Sequence, residues 1–162
     1  TNINYPVVKS NDNEYYLNHS FNKNKNQEGW IFLDYRNNIN NLDNNTIIYG
    51  HNRLTGTMFG TLKNLLNKSY QESTNHYIYF TTENNNYVFE VFSTYITSNE
   101  SYYLKTTFKD DNEYLEFLNT LKTRSTYNFN IELNSDDKII TLSTCSGSND
   151  RLVVHGKLIY KN

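Results

Sequence analysis

The stretch Ile139-Ile140-Thr141-Leu142-Ser143-Thr144-Cys145, followed after the polar segment Ser146 to Asp150 by Arg151-Leu152-Val153-Val154-His155, decides how this chain is read. Both halves are short, apolar and rich in β-branched residues, the pattern of buried strands. The short Ser146–Asp150 connection fits a hairpin between them. Cys145 is the only cysteine in the chain. It closes the first strand, and Arg151 opens the second. A thiol attacks carbonyls as its thiolate, which needs a cation or base nearby. Read this way, Cys145 is a nucleophile beside an oxyanion-binding guanidinium. The same residue types also fit a small buried hydrophobe and a surface ion-pair partner.

Working outward, Gly29 to Asp34 reads as a short buried strand, and Thr46 to Gly50 as another with His51 just past its end. Met58, Leu62, Leu65 and Leu66 recur at helical spacing, so an amphipathic helix is expected there. Tyr77 to Thr82 and Tyr87 to Tyr95 flank the polar segment 83–86, a hairpin pattern. Residues 97–108 read as a loop. Tyr114, Phe117, Leu118 and Leu121 predict a second helix, capped by Asp110 or Asp111 with Glu113 near its positive end. Strands at 139–144 and 152–160 complete a mostly β domain with two or three inserted helices, consistent with a closed barrel.

Composition narrows the function. At 162 residues the chain suits one domain with a sizeable core. A net charge of -2 lacks the basic footprint that nucleic-acid binding needs. A single cysteine excludes an internal disulfide and any cysteine-cluster metal site. No run of ~18 apolar residues suggests a membrane span.

His51 and Arg151 both fall at predicted strand ends, where one barrel rim could collect them beside Cys145. Among the other histidines, His155 alternates with Val154 in a strand and reads as structural or rim-exposed.

Thr141-Leu142-Ser143-Thr144-Cys145 with Arg151 on the next strand resembles the sortase signature, and Tyr49-Gly50-His51-Asn52 resembles its histidine motif. Tyr5-Pro6-Val7-Val8, Asn13 to Leu17, Ile31 to Asn37, Thr57-Met58-Phe59 and the helix-bearing stretch between Thr97 and Asn128 are similar to class B sortases, including clostridial ones. The resemblance covers nearly the whole chain. It implies a single catalytic domain over 1–162. The implied fold is mainly β, a closed eight-stranded barrel with an N-terminal helical segment and a helix inserted between late strands.

The resemblance also implies a cysteine transpeptidase of Gram-positive bacteria. Cys145 would be the nucleophile, His51 the acid and base, and Arg151 the substrate and oxyanion ligand. The substrate would be a secreted protein with a C-terminal NPQTN-, SPxTG- or NPxTG-like sorting motif, cut after Thr. A cell-wall peptide amine, from diaminopimelate or an oligoglycine bridge, would resolve a thioacyl intermediate. Implied substrate contacts are Leu17, Tyr103, Leu104, Ser143 and Thr144, with Asn13 and Asn99 as further groove candidates. No cofactor and no metal are implied, and the protein would act as a monomer. Its implied place is the extracytoplasmic face of the membrane, single-pass anchored in its full-length form by a segment outside these residues. Ser146 stands where some class B members carry an acidic residue, and Asp150 is the acidic residue that remains close in sequence.

Two other readings stay in view. Another cysteine peptidase family is one, although papain-like enzymes order Cys before His, the reverse of the order here. A non-catalytic β-barrel binding module is the other, and it would leave Cys145 buried and inert.

Overall fold

The computed structural model describes residues 1–98, 100–145 and 150–162, with the Cys145 side chain outside the description. Among these residues seven strands form one sheet: β1 (Val8–Lys9), β2 (Phe32–Leu33), β3 (Asn45–His51), β4 (Tyr77–Thr81), β5 (Asn86–Thr97), β6 (Ile139–Cys145) and β7 (Arg151–Lys161). Their order across the sheet is β1-β2-β3-β6-β7-β5-β4. The centre is a parallel pair, β3 and β6, flanked by antiparallel neighbours. A parallel pair needs a long crossover. Here it carries β4, β5, and the helices α1 (Lys68–Ser73) and α2 (Asp111–Thr123).

The central strands are apolar on both faces because both faces are covered. Ile48, Ile140, Leu142, Leu152 and Val154 point into one cluster with Ile31, Phe59, Phe80 and Phe89. The alternate residues serve the opposite face. Ile47 and Tyr49 join Tyr16 and Phe32, while Ile139 and Val153 pack under α2 against Phe117, Leu118 and Leu121. Asp110 caps α2, its Oδ1 accepting from the Glu113 N–H at 2.9 Å.

Several expectations are corrected. The described sheet has seven strands and two edges, not eight strands closed into a barrel. The N-terminal helical segment is a three-residue 3-10 turn, Tyr15–Leu17. The expected helix from Met58 begins later and tighter, as the 3-10 turn Leu62–Leu66. Met58 itself has φ 52° and bridges Asn52, so its apolar side chain is buried without a helix. The strand expected over 29–34 shrinks to two residues, and β1, pairing parallel to it, was not foreseen. The Ser146–Asp150 connection lies outside the described residues except for Asp150. No helix among the described residues is long and apolar enough to cross a membrane. The single-pass anchored form expected above therefore finds no support in these residues.

Candidate active site

His51 is the last residue of β3, and its register partner in the parallel pair is Cys145, the last residue of β6. On the other side of β6 the antiparallel register pairs Ser143 with Val153. Two residues further along it stand Cys145 and Arg151, the first residue of β7. Three neighbouring strands thus bring the three sequence-predicted residues to one end of the sheet.

His51 is half-buried and oriented. Its Nε2 donates to the Leu17 carbonyl at 2.7 Å. A carbonyl only accepts, so this nitrogen carries the proton. In the neutral ring the lone pair is then on Nδ1, the atom through which His51 can exchange a proton. The carbonyl is brought close by Gly29, whose φ of +57° is open to glycine without strain. A Cβ at Gly29 would stand 2.5 Å from the Tyr16 carbonyl oxygen, 2.7 Å from that of Leu17 and 2.9 Å from His51 Cδ2. Gly50, just before the histidine, is packed so closely by Ile31 and Phe59 that a Cβ would lie 2.4 Å from the Ile31 Cδ1. Arg151 is half-buried and its Nη1 donates to the Asp150 carbonyl at 3.3 Å.

The remaining expected contacts divide into two groups. Leu17 and Leu104 are half-buried on separate 3-10 turns, Tyr15–Leu17 and Tyr102–Leu104, and pack against the same cluster of Tyr16, Phe32, Ile47 and Tyr49. Tyr103, Ser143 and Thr144 are each only 1% exposed, so their side chains have interior partners instead of a groove surface. The Tyr103 hydroxyl meets the Ser143 Oγ at 2.9 Å. Thr144 Oγ1 accepts from the Leu152 N–H at 2.9 Å, tying β6 to β7 just before they reach Cys145 and Arg151. Asn99 lies outside the described residues. Among the described residues no group of three or more His, Cys, Asp or Glu is placed to hold a metal ion.

Beneath the site runs a buried polar relay. Asn45 at the start of β3 donates through Nδ2 to the carbonyls of Tyr103 and Lys105, at 3.1 and 3.0 Å. Its Oδ1 accepts from Thr141 Oγ1 at 2.7 Å. Thr141 has spent its proton on Asn45, so His155 Nδ1, 2.8 Å away, donates to Thr141. His155 Nε2 then accepts from the Tyr95 hydroxyl at 3.0 Å. His155 is fully buried, not rim-exposed, and burial pushes its pKa down to about 3.

A second buried group escaped the sequence reading. Asp34 is 0% exposed and ends the apolar run from Ile31. Its Oδ1 accepts from the Arg36 N–H and Nε, both at 2.9 Å. Its Oδ2 accepts from Arg36 Nη2 (2.8 Å), Asn13 Nδ2 (2.9 Å) and the Tyr49 hydroxyl (2.8 Å). Burial pushes this carboxyl up, but the donors of Arg36 and Tyr49 outweigh it and hold it below its ordinary value. The signal available was a carboxylate at the end of a wholly apolar run with an arginine two residues on.

A sortase domain model matches residues 1–159. The chain belongs to the sortase family. Sortases are cysteine transpeptidases, and within the family the similarity is to class B. The chain is 40% identical over 165 residues to sortase B of Listeria monocytogenes, covering 99% of this chain and 67% of that protein. It thus spans about two thirds of the length of that curated relative. It superposes on the Clostridium perfringens sortase B structure with a TM-score of 0.92 at 38% identity, covering 99% of this chain and 89% of that one. A Staphylococcus aureus sortase B–substrate complex matches with a TM-score of 0.90 at 38% identity, covering 96% and 73%.

Proposed function

We propose that this sortase chain, acting as one catalytic unit over 1–162, cleaves a C-terminal sorting motif after Thr and transfers the Thr carbonyl to a cell-wall peptide amine. The observation that carries this reading is the alignment of His51, Cys145 and Arg151 at the ends of three adjacent strands. The similarity to a sortase B solved with its substrate supports the same reading.

In the first half-reaction the Cys145 thiolate forms a C–S bond to the Thr carbonyl carbon, and the carbonyl electrons move onto oxygen. Arg151, permanently charged and rich in N–H donors, holds that oxyanion. The C–N bond then breaks, and the imidazolium of His51 gives its Nδ1 proton to the departing amine. In the second half-reaction an incoming amine attacks the thioacyl carbon and His51 takes its proton back. The C–S bond breaks and the thiolate returns. Leu17 and Leu104 form the apolar walls of the groove, while Tyr103, Ser143 and Thr144 shape its floor from beneath. Asn13 braces one wall.

The test uses quenched fluorescent NPQTN, SPKTG and NPKTG peptides with and without an amine acceptor, diaminopimelate or triglycine. Wild type is compared with Cys145→Ala, His51→Ala and Arg151→Ala. The proposal expects each substitution to abolish amine-dependent product and Cys145→Ala to prevent any covalent adduct. Unchanged cleavage by Cys145→Ala would sink it, and hydrolysis indifferent to added amine would identify a peptidase.

A further inference from the structure

The two 3-10 turns whose leucines pack against Ile47 and Tyr49 of β3 come from distant parts of the chain, Tyr15–Leu17 and Tyr102–Leu104. A single ion pair, the buried Asp34 carboxylate with the exposed Arg36, reaches both. On one side, Asp34 holds Asn13, whose own Oδ1 accepts from the Tyr35 N–H at 3.0 Å. Asn13 is thereby fixed through both ends of its amide. Asp12, beside it, accepts from the N–H groups of Glu14 and Tyr15 and so caps the first turn. That turn ends at Leu17, the carbonyl that orients His51. On the other side, Arg36 Nη2 donates both to Asp34 and, at 2.9 Å, to the carbonyl of Leu104. In the middle the Tyr49 hydroxyl ties the same carboxylate to β3, two residues before His51.

We infer that the Asp34–Arg36 pair is a positioning device for the transfer reaction, holding the Leu17 turn and the Leu104 turn at the separation that seats the substrate over β3. This rests on the sortase reading above. Neither residue touches the reacting atoms. The geometry depends on the guanidinium fork, because two of its nitrogens make three hydrogen bonds: Nε and Nη2 both reach Asp34, and Nη2 also reaches the Leu104 carbonyl. A lysine ammonium is a compact point charge without that planar reach. It can keep Asp34 paired but cannot span to Leu104 with the same geometry. Substrate seating and fold stability are therefore separable at this position.

The experiment compares wild type, Arg36→Lys and Arg36→Ala in three measurements. These are kcat and KM for a sorting peptide, the alkylation rate of Cys145 by a small uncharged reagent, and amide hydrogen exchange at 13–17 and 102–105. Arg36→Lys is expected to raise KM about tenfold with kcat within about threefold. Its melting temperature and Cys145 alkylation should stay near wild type, and exchange at 102–105 should accelerate. Arg36→Ala should add faster exchange at 13–17, since Asp34 then loses its cation. If Arg36→Ala does not fold, Arg36→Lys carries the test.

An unchanged KM in Arg36→Lys, or a fall in kcat with KM intact, overturns the inference. So does unchanged exchange at 102–105, whatever the activity. That last readout needs no turnover. If wild type cleaves no sorting peptide but the exchange pattern follows expectation, the sortase chemistry fails and the clamp on the two turns stands.

Discussion

His51 and Cys145 are register partners, side by side at the ends of two parallel strands. Parallel strands run their termini in one direction, so a residue ending each strand reaches the same edge of the sheet. Arg151 arrives at that edge from an antiparallel strand, which is why it must start its strand rather than end it. The strand directions thus fix the place of each residue within its strand: histidine and cysteine at strand ends, arginine at a strand start.

The close approach at Gly29 makes it a sensitive point. Gly29→Ala forces a Cβ against two carbonyl oxygens and the His51 ring. A left-handed backbone at alanine alone costs about 1–2 kcal/mol. Displacing the Leu17 carbonyl also frees the His51 ring to turn, and a misplaced catalytic group costs on the order of 100-fold in rate. Steady-state kcat/KM and urea unfolding measure the two effects separately. Full activity in Gly29→Ala would show that the Leu17 carbonyl does not orient His51.

The Asn45–Thr141–His155 relay has a defined direction of donation, and Thr141 is its pivot. Thr141→Val keeps the shape and strands two buried partners, the Asn45 Oδ1 and the His155 Nδ1–H. Leaving such groups unpaired costs about 1–3 kcal/mol each. Thr141→Ser keeps the hydroxyl and should lose much less. Chemical denaturation of both variants decides it, and equal losses would contradict the relay.

His155 ties stability to pH. Its pKa is near 6.5 when unfolded and about 3 in the fold. Above 6.5 both states are neutral and nothing depends on this group. Between 6.5 and 3 the unfolded chain binds a proton that the folded chain excludes, so stability falls as pH falls. The slope from one group approaches about 1.4 kcal/mol per pH unit. At pH 5 the loss is about 2 kcal/mol. Urea unfolding from pH 8 to pH 5 should show this slope in wild type, and His155→Gln should flatten it. An unchanged slope in the variant would place the proton uptake elsewhere.

Asp34 acts at a lower pH. Its folded value lies below the ordinary carboxylate range, so its contribution is complete above about 3.9 and disappears as pH falls through the folded value. Tyr49→Phe removes one donor from Oδ2. Hydrogen bonds to charged groups contribute about 1.5–3 kcal/mol. The variant should be less stable by up to that amount at pH 7 and should reach its acid midpoint at higher pH. Acid unfolding followed by circular dichroism measures the shift, and coincident acid transitions would remove Tyr49 from this group.

Much of this was legible in the chain because it is local. The strands ending at His51 and Cys145 are apolar runs with turn signals beside them, and α2 announces itself by spacing and by the Asp110 cap. The parts that were not legible are products of long-range contact. Met58 looked helical because its apolar partners recur at the right interval, yet it is buried at positive φ by a bridge to Asn52. Two-residue strands such as β1 carry no periodicity to detect. Tyr103 and Ser143 looked like groove residues, but their hydroxyls meet each other across 40 positions of sequence. Asp34 and Arg36 were visible as charges and invisible as a junction, since their other partners, Asn13, Tyr49 and Leu104, lie in three different segments.

The parallel pairing of β3 with β6 also sets the order in which the molecule matures. Residues 52–138 lie between the two strands, and they include β4, β5 and α2. Such distant pairing is slow to form because loop closure precedes any reward from contact. Until that excursion is complete, His51 has no Cys145 beside it. A nascent or partly unfolded chain therefore carries the Cys145 thiol without His51 beside it, and the transfer chemistry proposed above is deferred until folding is finished.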